Sequence, residues 1–375
     1  EIYTLSLHDA LPILPMIPTG FKETSGLGAI YLDWDDNTEL DLAGYKVYRS
    51  ITPDDVGIVV SQTTSSQFSD TNFSGVPEAF YYYSVSAFDM DTNESAHTQV
   101  LGSRPVTLDC GVLIVDESAD LSGANPLLPN DVMVDEFFDH TLRAFTNTTK
   151  LDLAGATNQL RMADIGIYSS ILWHGMDVSD MSAPFGIKEV LNQYISMGGK
   201  VFFTGYNPSM AFALNATYPN VFPNNSFISN VLGISNTNYS SSARFKYANP
   251  LIPGYPSLQV DSLKSLTALN NHILRVETIS ARDGATNIYA YGSDHETSSS
   301  AGQLNGQPIA VLNQYGLGKS FVTGVPLYFM ERDSASDLLW HVFRNIFNEP
   351  SANSDEVASP QARIQILSKI GRAHV

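Results

Sequence analysis

The stretch FYYYSVSAFDMDTNES, Phe80 to Ser95, opens with Tyr81, Tyr83, Val85 and Ala87 on alternate positions, with the intervening residues on the other side. Period two over eight or nine residues is the pattern of a β-strand with one buried face. Working outward, the same period appears in Ala29–Trp34, and in Gly44–Ser50, where Tyr45, Val47 and Arg49 alternate against Lys46 and Tyr48. Polar turns separate these runs, so the chain from Pro18 to Arg104 is expected to be an all-β sandwich. Gly102–Thr107 (GSRPVT) is expected to be the linker out of it, because a proline among small polar residues cannot continue a central strand.

After the linker the period changes. Val112–Val115 is continuously apolar, as in a strand covered on both faces. Asp131–Phe145 places Val134, Phe138, Leu142 and Phe145 on one helical stripe, with Asn130 or Asp131 as N-cap. Ile171–Trp173 reads as a second buried strand. Phe185–Met197 carries Ile187, Val190, Leu191, Tyr194 and Ile195 at helical spacing and stops at Gly198-Gly199, and Val201–Phe203 follows as a third strand. Strands alternating with helices predict a parallel α/β sheet with right-handed crossovers. The segment from about 215 to 300, rich in Asn, Ser, Tyr and Pro, reads as an insertion over that sheet with short strands such as Thr286–Tyr291. Pro308–Gln314 and Lys319–Thr323 form a hairpin around Tyr315-Gly316-Leu317-Gly318. A last helix follows the capping signal Ser334-x-x-Asp337 and buries Leu338, Leu339, Val342, Ile346 and Phe347. The stretch 349–369 is polar and expected to be a disordered linker.

Composition narrows the partners. Of 375 residues, 20 are Lys or Arg and 39 are Asp or Glu, a formal net charge of −19. So acidic a surface repels phosphate backbones and anionic lipid heads, which argues against nucleic acid and membrane partners. No apolar run reaches the roughly 20 residues that span a bilayer. The single cysteine, Cys110, excludes an internal disulfide framework and a Cys-rich zinc site.

The β segment resembles a fibronectin type III domain through LDWDDNTELDLAGYKVYRS, FSDTNFSG and FYYYSVSAFDMDTNES. That resemblance implies that Trp34 is the core tryptophan and Tyr81 the tyrosine of the corner before the sixth strand. No RGD follows that strand, so integrin-type adhesion is not implied. The second segment, 109–348, resembles the class I glutamine amidotransferase-like fold of secreted bacterial multidomain proteins, through GVLIVDES, NDVMVDEFFDHTL, YSSILWHG, LNQYISMGGKVFFTGYNP and GLGKSFVTGVPLYF. The fold class implied is therefore multidomain, an all-β fibronectin type III sandwich followed by a flavodoxin-like parallel-sheet domain. Both ends, 1–13 and 370–375, resemble translated sequencing adapter and are set aside from fold reasoning.

In enzymatic members of the amidotransferase-like fold, a cysteine stands on the sharp turn after the strand equivalent to Val201–Phe203, beside backbone oxyanion donors and with a later His-x-Glu as base. Here the turn is Thr204-Gly205-Tyr206-Asn207-Pro208, without Cys or Ser. Cys110 precedes the first strand, at the opposite end of the sheet, and His295-Glu296 lies in a serine-rich loop. A G-x-S-x-G elbow is also absent. No catalytic residue is assigned. Open α/β sheets bind ligands at the carboxyl ends of their strands, where this sequence offers Asp116, Glu117, His174, Asp177, Tyr206 and Asn207, with Thr323-Gly324 beyond. In the sandwich, Asp89-Met90-Asp91-Thr92-Asn93 begins like a calcium loop, but Glu94 replaces the obligatory glycine and Val100 the bidentate glutamate, which excludes an EF-hand. Asp35 and Asp36 in one loop, with Asp89 and Asp91 in another at the same end, remain candidates for a shared calcium, the one cofactor considered.

The resulting expectation is a non-catalytic structural or interaction fragment of a secreted or cell-surface bacterial protein. Its partners are other domains of the same polypeptide, a surface protein or a glycan. The alternative is an accessory or carbohydrate-binding module of a secreted hydrolase or peptidase that uses the strand-end crevice.

Overall fold

The computed structural model describes residues 13–73, 79–153, 160–175, 183–213 and 217–351. The adapter-like residues 1–12 and 370–375, and Asp177, lie outside the described residues. The chain divides into two compact units, one of residues 1–107 with 162–167 and the other of 108–161 with 168–375. Both are built mostly from β-strands, with few helices.

The first unit contains β1 (Lys22–Gly26), β2 (Ala29–Asp33), β3 (Leu42–Ser50), β4 (Ile58–Thr63), β5 (Gln67–Asp70), β6 (Tyr81–Asp89) and β7 (Leu101–Ser103). They form two antiparallel sheets, β1-β2-β5 and β4-β3-β6-β7, the sandwich read from the alternating pattern. Ile30, Leu32, Trp34, Tyr45, Val47, Tyr81, Tyr83, Val85 and Ala87 fill the space between them, and Trp34 meets Tyr45 edge-on at 5.3 Å. Tyr81 is in this core, but the hydroxyl that ties the corner belongs to Tyr83, which donates to Asp70 at 2.9 Å while Arg49 holds the same carboxylate at 2.7 Å. The expected linker at Gly102–Thr107 is corrected by the structure. Gly102 and Ser103 complete β7, and Val106 is buried and bridges back to Leu27. Arg104 then donates to the carbonyls of Ala163 and Asp164, in the short helix α2 (Met162–Ile165).

The second unit holds β8 (Val112–Asp116), α1 (Asp131–Thr141), β9 (Thr148–Asp152), β10 (Ser170–Gly175), α3 (Ala183–Gly186), α4 (Lys188–Ser196), β11 (Lys200–Gly205), β12 (Asn220–Val221), α5 (Phe227–Asn230), β13 (Ile234–Asn238), β14 (Tyr247–Pro250), β15 (Leu258–Gln259), β16 (Thr278–Ala281), β17 (Thr286–Gly292), β18 (Pro308–Tyr315), β19 (Gly318–Thr323) and α6 (Arg332–Trp340). The main sheet runs β15-β14-β17-β18-β19-β11-β10-β8-β9. From β19 to β9 the strands are parallel, and from β18 to β15 they are antiparallel. The expected parallel sheet is thus the parallel half of a mixed one. The inserted segment explains the difference, because β14, β15 and β17 extend the sheet edge instead of lying over it. Among the described residues of this unit, β12-β13-β16 form a separate small sheet.

One face of the parallel strands presents Val112, Ile114, Leu172, Phe202 and Phe321 to Val134, Phe137 and Phe138 of α1 and Leu338 and Leu339 of α6. The other face turns Ile171, Trp173, Val201 and Phe203 the opposite way, and α4 buries Leu191, Tyr194 and Ile195 beside them. Alternate residues of each strand therefore serve two helical layers, which is why these strands read as unbroken apolar runs. Each large side chain so buried contributes about 1.5–3 kcal/mol.

Asn130 caps α1, accepting the Met133 N–H at 3.0 Å. The capping signal at Ser334 is not used as expected. α6 begins at Arg332, and the Ser334 hydroxyl donates back to the Glu331 carbonyl. The helix then continues in a wider π turn over His341–Ile346. The expected linker from 349 also needs correction at its first residue. Glu349 is buried, accepts Ser169 Oγ at 2.8 Å and Ser170 Oγ, and lies 4.0 Å from Lys200 Nζ.

Candidate functional site

The carboxyl ends of the parallel strands gather two sets of polar side chains. The first is built around Asp116, the last residue of β8 and 4% exposed. Its Oδ1 accepts the Ser118 N–H at 2.7 Å and lies 3.4 Å from Nδ1 of His174 on the neighbouring strand β10. Ser118 Oγ is 3.3 Å from the same nitrogen. The parallel register places Asp116 directly beside His174, and Asp152 of β9 on the other side. His174 is fully buried and stacked on Phe138 at 4.0 Å, and burial pushes its imidazole down to about 3, so the ring is neutral. Burial pushes Asp116 up to about 6 against the Ser118 hydrogen bonds, with Asp135 and Asp152 adding repulsion. Burial, then the charges of Asp116, Asp135 and Asp152, raise Asp131 to about 7. Two adjacent carboxyls that cannot both ionise freely hold one proton between them near neutrality. Lys150 of β9 neutralises the outer rim by reaching Asp135 and Asp139 at 2.8 Å each.

Glu117, the next residue, turns away from this cluster and accepts Trp173 Nε1 at 3.0 Å. The predicted set Asp116, Glu117, His174, Tyr206 and Asn207 is accordingly brought together only at Asp116 and His174. Asp131 was legible only as a helix-cap candidate, because its partner lies fifteen residues away across a loop.

The second set lies on the turn after β11. Thr204 Oγ1 donates to the Val325 carbonyl at 2.9 Å and accepts the Leu327 N–H at 3.1 Å. Tyr206 is buried against Phe329, with ring centroids 5.7 Å apart, and burial raises its phenol. Asn207 has φ +49°, the left-handed backbone of a sharp turn. Ser209 donates its N–H to Glu277 Oε2 at 3.1 Å and its hydroxyl to Glu277 Oε1. Glu277 is fully buried and also takes the Thr237 hydroxyl, and the Tyr218 hydroxyl at 3.2 Å. Burial raises its carboxyl, while the Ser209, Thr237 and Tyr218 hydrogen bonds pull the other way. The carbonyl of Glu277 packs so closely on Gly324 that a Cβ there would stand 2.1 Å from it. Thr323-Gly324, offered by the sequence as a strand-end ligand site, is therefore a packing contact. The sequence carries no distinct signal for Glu277, which stands in the mixed stretch Ile273-Leu274-Arg275-Val276-Glu277-Thr278-Ile279.

The calcium candidates do not converge. Asp35 Oδ2 accepts Thr19 Oγ1 at 2.9 Å, and Asp36 and Asp91 are exposed. Asp89 closes its own turn, accepting both the backbone N–H and Nδ2 of Asn93 at 2.8 Å, and these bonds lower its carboxyl. Glu94 is held by Lys46, Tyr48 and Ser86; burial opposes ionisation, yet these donors bring it down to about 2. Among the described residues, no three His, Cys, Asp or Glu side chains are arranged to hold a metal ion. Among the described residues, no helix is long and apolar enough to cross a membrane. A further feature, not anticipated from sequence, is a pocket of about 220 Å3 between α4, α5 and Tyr315.

No family model and no curated protein matches the chain. Among solved structures it is similar to an Fn3-like protein from Clostridium thermocellum, at 26% identity and a TM-score of 0.19, over 23% of this chain and 90% of that one. It is also similar to a GH42 β-galactosidase from G. stearothermophilus, at 12% identity and a TM-score of 0.39, over 65% of this chain and 30% of that one. A β-galactosidase from Rahnella sp. R3 gives 13% identity and a TM-score of 0.37, over 64% of this chain and 32% of that one. The chain spans about a third of the length of each β-galactosidase. With TM-scores below 0.5, none of these likenesses bears on what the chain does.

Proposed function

We propose that the chain is a non-catalytic interaction module of a secreted bacterial multidomain protein, in which the sandwich acts as a spacer and the α/β unit is an amidotransferase-like domain without a nucleophile. The parallel strands run in the spatial order second, first, third, fourth, fifth, which favours a flavodoxin-like ancestry for that unit. The observation that carries the reading is the state of the hydroxyls on the turn after β11. Thr204 is bonded on both sides by backbone groups, and Ser209 is clamped to a buried carboxylate instead of a histidine. A nucleophile needs a base within reach and an exposed attacking atom. Both hydroxyls here hold the following loop and the inserted segment in place. Cys110, partly exposed, lies before β8, its Sγ donating to Asp109 Oδ1 at 3.6 Å.

Labelling the full chain with a fluorophosphonate and with iodoacetamide tests this. The expected result is no adduct on Thr204 or Ser209, and alkylation of Cys110 no faster than an ordinary exposed thiol. A stoichiometric adduct on either hydroxyl would overturn the proposal.

A further inference from the structure

The pocket of about 220 Å3 lies away from the turn after β11, and Lys188, Glu189, Asn192, Asn225, Phe227 and Tyr315 are among the residues that line it. Its volume equals about seven waters at about 30 Å3 each, room for one sugar ring and its hydroxyls. We propose that it binds a single neutral sugar unit, such as the terminal residue of a glycan.

Chemistry on the walls favours that class over an anion or an apolar ligand. Three amides, Asn192, Asn225 and Asn230, each offer a donor and an acceptor, which suits adjacent hydroxyls. The Oδ1 of Asn192 is buried and has no hydrogen-bond partner, an acceptor that a ligand hydroxyl would satisfy. Phe227 and Tyr315 supply aromatic surface for the apolar face of a ring. The one cation, Lys188, is turned to the Phe212 carbonyl at 3.4 Å and sits 3.7 Å from the Phe185 ring, and Glu189 stands next to it. Together they leave no net charge to select an anion. The polar walls equally give an apolar ligand no advantage.

The site is also preorganised. Buried Asn313 donates Nδ2 to the Val231 carbonyl at 2.9 Å and to the Asn230 carbonyl at 3.3 Å, and buried Ser320 Oγ donates to Val231 at 3.0 Å. Arg282 Nη2 adds a bond to the Asn230 carbonyl at 3.3 Å. Ser226 caps α5 by accepting the Ser229 N–H at 3.2 Å. Side chains from β18 and β19 thus fix the end of α5 that forms one wall, so a ligand need not order it.

Saturation-transfer NMR and calorimetry on the full chain would test the proposal, with methyl β-galactoside, methyl β-glucoside and N-acetylglucosamine as probes and inorganic phosphate as the anion control. At least one sugar is expected to bind in about the millimolar range, as small polar ligands do. Asn192→Leu, which removes the buried acceptor and the amide donors, should weaken binding at least tenfold. The more exposed Asn225→Ala should weaken it several-fold, and it serves as the readout if Asn192→Leu does not fold. Absence of binding by all three sugars, binding undiminished in the folded variants, or phosphate binding in their place would overturn the assignment.

Discussion

Replacing Asp116 by Asn should make the α/β unit more stable, increasingly so as pH rises. Burial lifts the Asp116 carboxyl from 3.8 to about 6 in the fold, so between those values the native state holds a proton that the unfolded chain has released. Stability therefore falls as pH rises through this window, and the penalty is complete above the folded value. At about 1.36 kcal/mol per pK unit it amounts to about 3 kcal/mol at pH 8 and about half that at pH 5. The amide introduced by Asp116→Asn cannot ionise, keeps an acceptor for the Ser118 N–H, and relieves Asp131, whose raised value depends in part on Asp116. The Ser118 bonds to the carboxylate are already contained in the folded value, so the variant should exceed the parent by up to about 3 kcal/mol at pH 8 and by about half that at pH 5. His174, neutral because burial lowers it to about 3, works in the opposite sense below its ordinary range, but it is present in both proteins and its facing charges are Asp135 and Lys150. Native-state hydrogen exchange in urea, read at the β8 and β10 amides, isolates this unit from the sandwich. If the difference between variant and parent is the same at pH 5 and pH 8, Asp116 is an ordinary ionised aspartate and the shared-proton account fails.

Glu349→Ala should destabilise the α/β unit by about 1–3 kcal/mol, because it strands the buried hydroxyl of Ser170 and leaves that of Ser169 only the Gly111 carbonyl; an unchanged urea midpoint would show that the residue belongs to a solvated tail. Calcium at millimolar concentration should leave the melting of the sandwich where chelator leaves it, since Asp89 and Glu94 are already engaged by Asn93 and by Lys46, Tyr48 and Ser86. A rise of several degrees would restore the shared-ion site.

The sandwich was legible because each strand has one wet and one dry face, and alternation survives in the sequence even where turns vary. The buried strands β8, β10 and β11 were legible for the opposite reason, two dry faces. β9 escaped notice because Thr148-Thr149-Lys150 is an edge strand whose polar side chains face solvent and α1, so no apolar run marks it. β14 and β15 carry only two to four paired residues each, too few for a period to emerge. The site was half legible. Strand-end position gave Asp116 and His174, but Ser209 and Glu277 meet across sixty-eight residues, and nothing local in either segment signals the other. The pocket wall is less legible still, since Asn, Ser and Lys at those positions are ordinary surface residues until α4 and α5 are packed together.

A buried polar group must be paired or it costs about 1–3 kcal/mol, and that rule connects the two halves of the functional reading. At the carboxyl edge of the sheet, Thr204 and Ser209 are paired with Val325, Leu327 and Glu277, and Asp116 with the Ser118 N–H. Glu277 sits just before β16, so its four donor contacts anchor the small sheet of the insertion to the turn after β11. Polar groups fixed in that way cannot also desolvate a substrate without breaking the fold's own bonds. Asn192 Oδ1, like Asp131 Oδ1 and His174 Nε2, is a buried polar atom without a hydrogen-bond partner among the described residues, but it lines the pocket, whose neighbouring wall is pinned from behind by Asn313 and Ser320. In this chain the strand ends hold the domain together, and recognition is displaced to the flank of α4.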